Sequence, residues 1–234
     1  MKIGIIGPTE NEINPFLKHL TVSNTRKLAK LDFHEGKYSN TDIVALFCGV
    51  CKVNAAIAAQ ILIDVFGVTH IIVVGVAGAI DKDLKILDTV ISSEVGYHDV
   101  ADGILTEYHP WMKSIYFTPD EKLEEKFAYI AQDKKWNSSV LFGKIVTGEA
   151  FIDQQGREEI IEKHNPLCVD METASIAHVC YVNGVPFIAV RSMSDSPAES
   201  GAEAFEKYCE AAANKSVEVL IAFLDGLGPE KNIV

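Results

Sequence analysis

Short apolar runs alternate with helical patterns along almost the whole chain. The runs KIGIIG at 2–7, DIVALFCG at 42–49 and HIIVVGV at 70–76 predict strands. The third run is nearly all apolar, as expected of a strand that is covered on both faces. Before it, KVNAAIAAQILIDVFG at 52–67 predicts an Ala-rich helix that ends at Gly67. This alternation predicts an α/β sheet with helices on both faces.

The remainder of the chain continues the same pattern. Further strands are predicted within 88–99, 140–148, 166–171 and 185–193, and residues 119–135 predict an amphipathic surface helix. The segment 100–118 is less regular and rich in aromatic residues, namely Tyr108, Trp111, Tyr116 and Phe117. The chain has no internal repeat and no Gly/Ser linker, so we expect one domain over residues 1–234.

The charge and the cysteine content of the chain disfavour several classes of binding partner and of cellular location. The 234 residues carry a formal net charge of −12, which disfavours nucleic acids and anionic lipid surfaces as partners. The first residues, MKIGIIGPTENE, fit neither a signal peptide nor a membrane span. The cysteines are odd in number, five, and lie mostly in apolar segments, which favours reduced thiols. We therefore predict a cytoplasmic protein.

The ends of the predicted strands carry the candidate chemistry. Ligands of open α/β sheets usually bind beyond the carboxyl ends of the strands. Here three such ends place an acid in an apolar setting: Glu12, Glu172 and Asp195. Each acid alone also fits a helix cap or a first-turn partner of the helix dipole. A cap explains Glu172 less well, because the small residues of TASIA at 173–177 predict a closely packed helix, in which an unpaired carboxylate is costly.

Two other motifs suggest different chemistry. Cys48 and Cys51 in CGVC have the spacing of a redox pair at the start of a helix, but the motif is short and leaves the three acids unexplained. A zinc site is disfavoured, because no second ligand pair has suitable spacing. The segment GVAGAI has neither the dinucleotide fingerprint nor the P-loop spacing, although its glycines let a ligand approach the backbone.

A series of motifs in chain order resembles one known family. MKIGIIG with Glu10 and Glu12, GVCKVNAA, GVAGAI, YHD, TGEAFI, VDMETASIAHVC and VRSMSD resemble the 5'-methylthioadenosine/S-adenosylhomocysteine nucleosidases of the nucleoside phosphorylase superfamily. The resemblance runs from the first strand to the final helix. It implies a three-layer αβα sandwich around a mixed central sheet, a nucleoside substrate, hydrolysis of the bond between adenine and ribose, and no metal or cofactor.

The resemblance also implies roles for individual residues. Asp195 would protonate adenine N7, Glu12 would activate water and Glu172 would bind the ribose hydroxyls. The other implied substrate-binding residues are Phe151 stacking on the base, Ile152 reading its edge, Met171 packing on the sugar, Phe205 near the thioether, and Val76, Arg191 and Ser194. These roles suit the chemistry, because cleavage builds positive charge on the sugar and negative charge on the departing base. His98 of YHD is given no chemical role.

Two other activities within the superfamily stay open. A phosphorylase would use phosphate, but no arginine follows the first strand, where Glu10 and Glu12 would repel a dianion. An inactive nucleoside-binding protein is disfavoured by the three intact acids. The chain also departs from the family pattern at several positions, with Pro8 and Thr9 for the usual Ala-Met, Cys51 for glycine, Val76 for serine and Asp170 for glutamate. We expect Asp170 to orient the turn around it.

The resemblance further implies a homodimer in which a neighbouring subunit helps to close the pocket. Residues 100–118 are the candidate for this contribution, and the alternative is that they only cover the core of their own subunit.

Overall fold

A computed structural model describes residues 1–109, 112–136 and 139–227. Trp111, one of the aromatic residues of the segment 100–118, therefore lies outside the described residues. The strands are β1 (Lys2–Gly7), β2 (Thr21–Leu28), β3 (Leu31–Tyr38), β4 (Thr41–Phe47), β5 (His70–Ala79), β6 (Thr89–Tyr97), β7 (Tyr116–Phe117), β8 (Val140–Thr147), β9 (Cys168–Asp170) and β10 (Phe187–Asp195). The helices are α1 (Glu10–Leu17), α2 (Lys52–Asp64), α3 (Ile104–Glu107), α4 (Glu121–Ala131), α5 (Arg157–His164), α6 (Thr173–Asn183) and α7 (Ala202–Asp225).

These strands form one mixed sheet, in which nine follow the order β10-β6-β8-β9-β5-β1-β4-β3-β2 and β7 pairs with β6. β1 pairs in parallel with β4 and β5, whereas β2, β3 and β4 form an antiparallel meander at one end. β10 also pairs with β5, which closes β5, β10, β6, β8 and β9 into a ring. The expected mixed central sheet is confirmed.

One edge of β5 is left open in the middle of the sheet. β10 occupies one edge of β5 along residues 71–78. The other edge pairs with β1 at residues 70–73 and with β9 at residues 78–79. Residues 74–77 therefore have no strand partner on that edge, and β1 and β9 diverge around them. This gap faces the site described below.

Helices cover both faces of the sheet, so the predicted layers are confirmed. On one face α1, α4 and α7 pack over a core that includes Phe16, Phe127 and Phe223. On the other face α2 and α6 pack against each other, and their contacting surfaces are rich in alanine, as in Ala58 and Ala177. Small side chains let the two helix axes approach closely. No helix in residues 1–109, 112–136 or 139–227 is both long and apolar enough to cross a membrane.

The structure shows one hairpin that the sequence pattern does not predict, and it places the aromatic residues of the segment 100–118. The apolar pattern does not predict the hairpin of β2 and β3, because β2 (TVSNTRKL) is exposed along nearly its whole length. The segment 100–118 divides its aromatic residues between two environments. Phe117 is buried in the subunit's own core, whereas Tyr108 is 71% exposed.

Candidate active site

A cavity of about 260 Å³ opens at the carboxyl ends of the strands, as the sequence predicts for a ligand site. Its walls come from the segments that follow β1, β4 and β8, from the ends of β5, β9 and β10, from the turn after β9, and from α1 and α7. The lining residues are Pro8, Thr9, Glu12, Val50, Val76, Ala77, Gly78, Ala150, Phe151, Ile152, Val169, Asp170, Met171, Glu172, Ser194 and Phe205. The wall is mainly apolar, and its carboxylates are concentrated on one side.

Glu12 is held at the gap in the β5 edge. It lies in the first turn of α1, and its carboxylate crosses to β5, where Oε1 accepts the Val76 N–H at 2.9 Å. Oε2 accepts the Thr9 hydroxyl at 2.7 Å. Glu12 is thus a pocket residue and not a helix cap. Burial raises its pKa, while Arg191, Thr9 and the Val76 N–H act in the opposite direction.

Glu172 occupies the N-cap position of α6, but its side chain makes no cap hydrogen bond. Instead Oε1 accepts the backbone N–H of Cys51 at 3.0 Å, and Oε2 contacts Arg191 Nη2 at 3.3 Å. Cys51 has a φ of 81°, a conformation that favours glycine, which is the usual family residue at this position. Burial raises the pKa of Glu172, and the neighbouring Asp170 raises it further against the effect of Arg191.

Arg191 lies behind these carboxylates and does not line the cavity. Its side chain is fully buried, and it contacts Glu12 at 3.7 Å, Asp170 at 2.9 Å and Glu172 at 3.3 Å. One guanidinium thus compensates three buried carboxylates, which would otherwise be too costly to ionise together. Arg191 is thus placed to hold the acids, and the substrate contact that the resemblance implies for it stays a prediction.

Asp170 orients the turn between β9 and α6, as expected. Its carboxylate accepts the Thr147 hydroxyl at 2.6 Å, the Thr173 hydroxyl, and the backbone N–H groups of Glu172 and Thr173. Together with the Arg191 contact, these bonds fix the backbone that presents Glu172 to the cavity.

Asp195 lies at the other end of the site, at the end of β10. The pairing of β10 with β5 shifts register between Met193 and Asp195, and such bulges commonly re-aim side chains beside active sites. Oδ1 accepts the Ala79 N–H at 3.2 Å, and buried Oδ2 has no partner among the described residues. Burial raises the pKa of Asp195 to about 6, although the Ala79 N–H and Arg157 lower it.

Asp195 does not itself line the cavity, but it is next to residues that do. A Cβ added to Gly78, a lining residue, would lie 3.1 Å from Asp195 Oδ1. Ser194, the preceding residue, also lines the wall. Because Gly78 has no side chain, the Asp195 carboxyl lies close to the backbone of a residue that lines the cavity.

The other implied substrate-binding residues surround the remaining space. Phe151 and Phe205 meet edge to face, with ring centroids 5.9 Å apart, and Phe151 is half exposed at the mouth. Met171, Ile152 and Val76 also line the cavity. The sequence-predicted residues thus converge on one cavity, with Arg191 and Asp195 directly behind its wall.

The cysteine pair and His98 do not line this cavity. Burial raises the pKa of both Cys48 and Cys51, the reverse of what an activated redox pair requires. His98 lines a separate cavity of about 270 Å³, which shares Ile152 with the first. The site therefore supports the reading based on three acids over the redox alternative.

Sequence reasoning missed the hydroxyl groups that hold the carboxylates. In the sequence Thr9 is marked only by its departure from the family pattern, and Thr147 and Thr173 are not among the predicted site residues. The spacing of Asp170 and Thr173, three residues apart before a helix, is a signal that could have found one of them. Thr147 is distant in sequence and carries no such signal.

Comparisons with known proteins agree with this geometry. Residues 2–225 match the model of the phosphorylase superfamily. A 5'-methylthioadenosine/S-adenosylhomocysteine nucleosidase of an Exiguobacterium strain is 37% identical over 95% of this chain and 97% of its own. S-adenosylhomocysteine nucleosidase from Streptococcus pyogenes, solved with 5-methylthiotubericidin, has a TM-score of 0.89 at 30% identity and covers 98% of each chain.

A third relative carries a different name. The futalosine hydrolase of Helicobacter pylori has a TM-score of 0.87 at 30% identity and covers 97% of this chain and 98% of its own. Similarity of this extent, together with the cavity and its acids, identifies the chain as a member of the 5'-methylthioadenosine/S-adenosylhomocysteine nucleosidase family of the phosphorylase superfamily.

Proposed function

We propose that this chain hydrolyses the N-glycosidic bond of 5'-methylthioadenosine, S-adenosylhomocysteine or both, and releases adenine. The proposal rests on the names of its relatives and on one observation in the structure. Three carboxylates, Glu12, Asp170 and Glu172, line one side of the cavity, and Asp195, with an unpartnered oxygen, lies behind its wall at another. That arrangement suits a bond whose cleavage separates positive charge on a sugar from negative charge on a base.

Asp195 serves as the general acid at the base. Its pKa of about 6, raised by burial, keeps about a tenth of the carboxyl protonated at pH 7, far more than its ordinary value of 3.8 would. The Gly201 N–H acts on the same carboxyl and lowers its pKa, and Oδ2, which has no hydrogen-bond partner among the described residues, donates its proton to adenine N7. Protonation turns the purine into a neutral leaving group.

The opposite side receives the sugar. Glu12 accepts a proton from water as the water attacks the anomeric carbon, and Glu172 binds the ribose hydroxyls. Met171, beside Glu172, packs against the sugar ring. Both carboxylates also stabilise the positive charge that develops on the ribose.

Aromatic and apolar side chains hold the ends of the substrate. Phe151 stacks on adenine and the Ile152 backbone reads its edge, while Phe205 lines the side that takes the thioether. Val76 leaves the neighbouring wall without the hydroxyl that the family usually has there. The same cavity makes futalosine a useful third substrate to compare in competition kinetics.

Water is a better nucleophile here than phosphate. None of the described residues that line the cavity is lysine or arginine. Arg191 is fully buried among three carboxylates, and Glu12 and Glu172 would repel a phosphate dianion. The geometry therefore favours a hydrolase over a phosphorylase.

Adenine release from methylthioadenosine, with and without added phosphate, tests this function. We expect release at the same rate in both conditions, together with free methylthioribose. Glu12→Gln should lower the rate by at least about 100-fold. Glu10→Gln, at an exposed position two residues away, is the matched control. Strict dependence on phosphate would indicate a phosphorylase, and binding without turnover would indicate an inactive nucleoside-binding protein.

We also propose that the chain forms a homodimer through the exposed face of α2 with α3 and α6. Apolar side chains are exposed on all three, among them Val53 at 69%, Ile104 at 42% and Val182 at 51%. Exposed apolar residues grouped in this way favour a protein interface. Val53→Glu should shift sedimentation towards the monomer, whereas Val22→Glu, on distant β2, should not. A wild-type monomer at micromolar concentration would contradict the proposal.

A cytoplasmic location is the last part of the proposal. It is supported by five free cysteines, of which Cys48, Cys168 and Cys180 are buried. Cell fractionation checks it, and recovery of the protein outside the cytoplasm would contradict it.

A further inference from the structure

The first turn of α1 has the sequence of a capping box but does not use it as one. Thr9 is at the N-cap and Glu12 follows three residues later, the spacing at which each side chain normally bonds the backbone N–H of the other residue. Thr9 makes no side-chain cap hydrogen bond. Its hydroxyl donates instead to Glu12 Oε2 at 2.7 Å, and both side chains line the cavity.

The two oxygens of Glu12 are each held by a different donor. The Val76 N–H binds Oε1 and the Thr9 hydroxyl binds Oε2, so the carboxylate is fixed at both ends. The Arg191 guanidinium is farther away, at 3.7 Å from Oε1. A hydrogen bond to a carboxylate is stronger than the same bond to a neutral carboxyl, so the Thr9 hydroxyl favours the ionised form.

We propose that Thr9 is a positioning residue for hydrolysis, holding the Glu12 carboxylate ionised and oriented toward the attacking water. The inference rests on the proposed role of Glu12 as the base. It is specific to this chain, because position 9 departs from the methionine usual in the family, and methionine has no hydroxyl to donate.

Other charged and titratable groups also face Glu12 and contribute to its ionisation. They come from β10, from the turn between β9 and α6, from the end of β4 and from α7: Arg191, Asp170, Glu172, Cys48 and Cys209. Arg191 favours the ionised carboxylate, and Asp170 and Glu172 oppose it. None of these groups changes when Thr9 is replaced, so the Thr9 variants isolate the contribution of the hydroxyl.

Thr9→Val and Thr9→Ser test the proposal through the pH dependence of kcat/KM for methylthioadenosine. Valine keeps the shape of threonine and removes the hydroxyl, whereas serine keeps the hydroxyl. For the valine variant we expect the acidic limb to move to higher pH. Its kcat/KM relative to wild type should then fall about tenfold at pH 5 and recover to within about twofold at pH 8. The serine variant should follow the wild-type profile.

A loss of activity that is the same at every pH would overturn the proposal, as would an unchanged valine profile or a serine variant that behaves like valine. Glu12→Gln is measured in parallel to separate the two hypotheses. An inactive glutamine variant beside an unchanged valine profile refutes only the role of Thr9. A fully active glutamine variant refutes the role of Glu12 and thereby the proposed mechanism. Thermal unfolding of both Thr9 variants establishes that each is folded.

Discussion

Asparagine at position 195 keeps the size of the aspartate side chain and can still accept the Ala79 N–H, but it carries no charge at any pH. Burial raises the pKa of Asp195 from its ordinary value of 3.8 to about 6. A carboxyl with a higher pKa in the folded chain stabilises the fold while it is protonated, and this contribution is lost as the pH rises through the folded pKa. We therefore expect the free energy of unfolding of the wild type to fall as the pH rises from about 4 to 6. The Asp195→Asn variant should not show this fall.

The size of the effect follows from the shift of about two pKa units, which corresponds to about 3 kcal/mol in total. About 1.4 kcal/mol of this is lost by the wild type between pH 5 and pH 8. For a domain of this size, 1 kcal/mol changes Tm by about 2–4 °C. The Tm of Asp195→Asn relative to wild type should therefore rise by about 3–6 °C between these two pH values.

Thermal unfolding at pH 5, 6 and 8 measures this difference, with Asp83→Asn, at an exposed loop position, as the control. Adenine release is measured on the same samples and should fall by at least about 100-fold in Asp195→Asn. A Tm difference that stays constant from pH 5 to pH 8 would refute the reasoning from burial. Turnover close to that of wild type would refute the role of Asp195 as the acid.

Two other substitutions test the support of the carboxylates. Gly75→Ala should lower kcat/KM by about 100-fold, because the new Cβ would lie 2.4 Å from Glu12 Oε1 and displace the carboxylate. Gly67→Ala is the kinetic control, because the space around Gly67 is open. Arg191→Met should lower the free energy of unfolding in urea by about 3–5 kcal/mol at pH 7, because it leaves three buried carboxylates without their cation. This loss should shrink at acidic pH, and a loss independent of pH would contradict the charge argument.

Much of the fold follows from periodicity that the sequence displays directly. β1 and β5 are nearly continuous apolar runs because both of their faces are covered, and β10 begins as one over residues 187–190. The small residues of α2 are also visible in the sequence, although the helix ends at Asp64, three residues before the predicted end at Gly67. Glu12 and Glu172 can be recognised in the sequence as candidate site residues, because an acid in an apolar setting needs a partner. A single domain over residues 1–234 stays a prediction.

The features that escaped prediction depend on long-range pairing. β2 shows no apolar pattern because it lies at an exposed edge. The pairing of β10 with β5, which closes the ring and buries Arg191, joins segments more than a hundred residues apart. The Thr9 hydroxyl is hard to predict for a different reason, since its spacing from Glu12 is that of a local cap whereas in the structure the hydroxyl donates to the Glu12 carboxylate in the cavity.

The open edge of β5 links the chemistry of this protein to its architecture. Inside a sheet, an amide that lacks a neighbouring strand needs some other acceptor, and for Val76 that acceptor is the Glu12 side chain. One oxygen of the proposed base thus replaces a missing backbone carbonyl. A related protein that lost the hydrolytic activity would therefore still be under selection to keep this glutamate, because without it the Val76 N–H would have no acceptor.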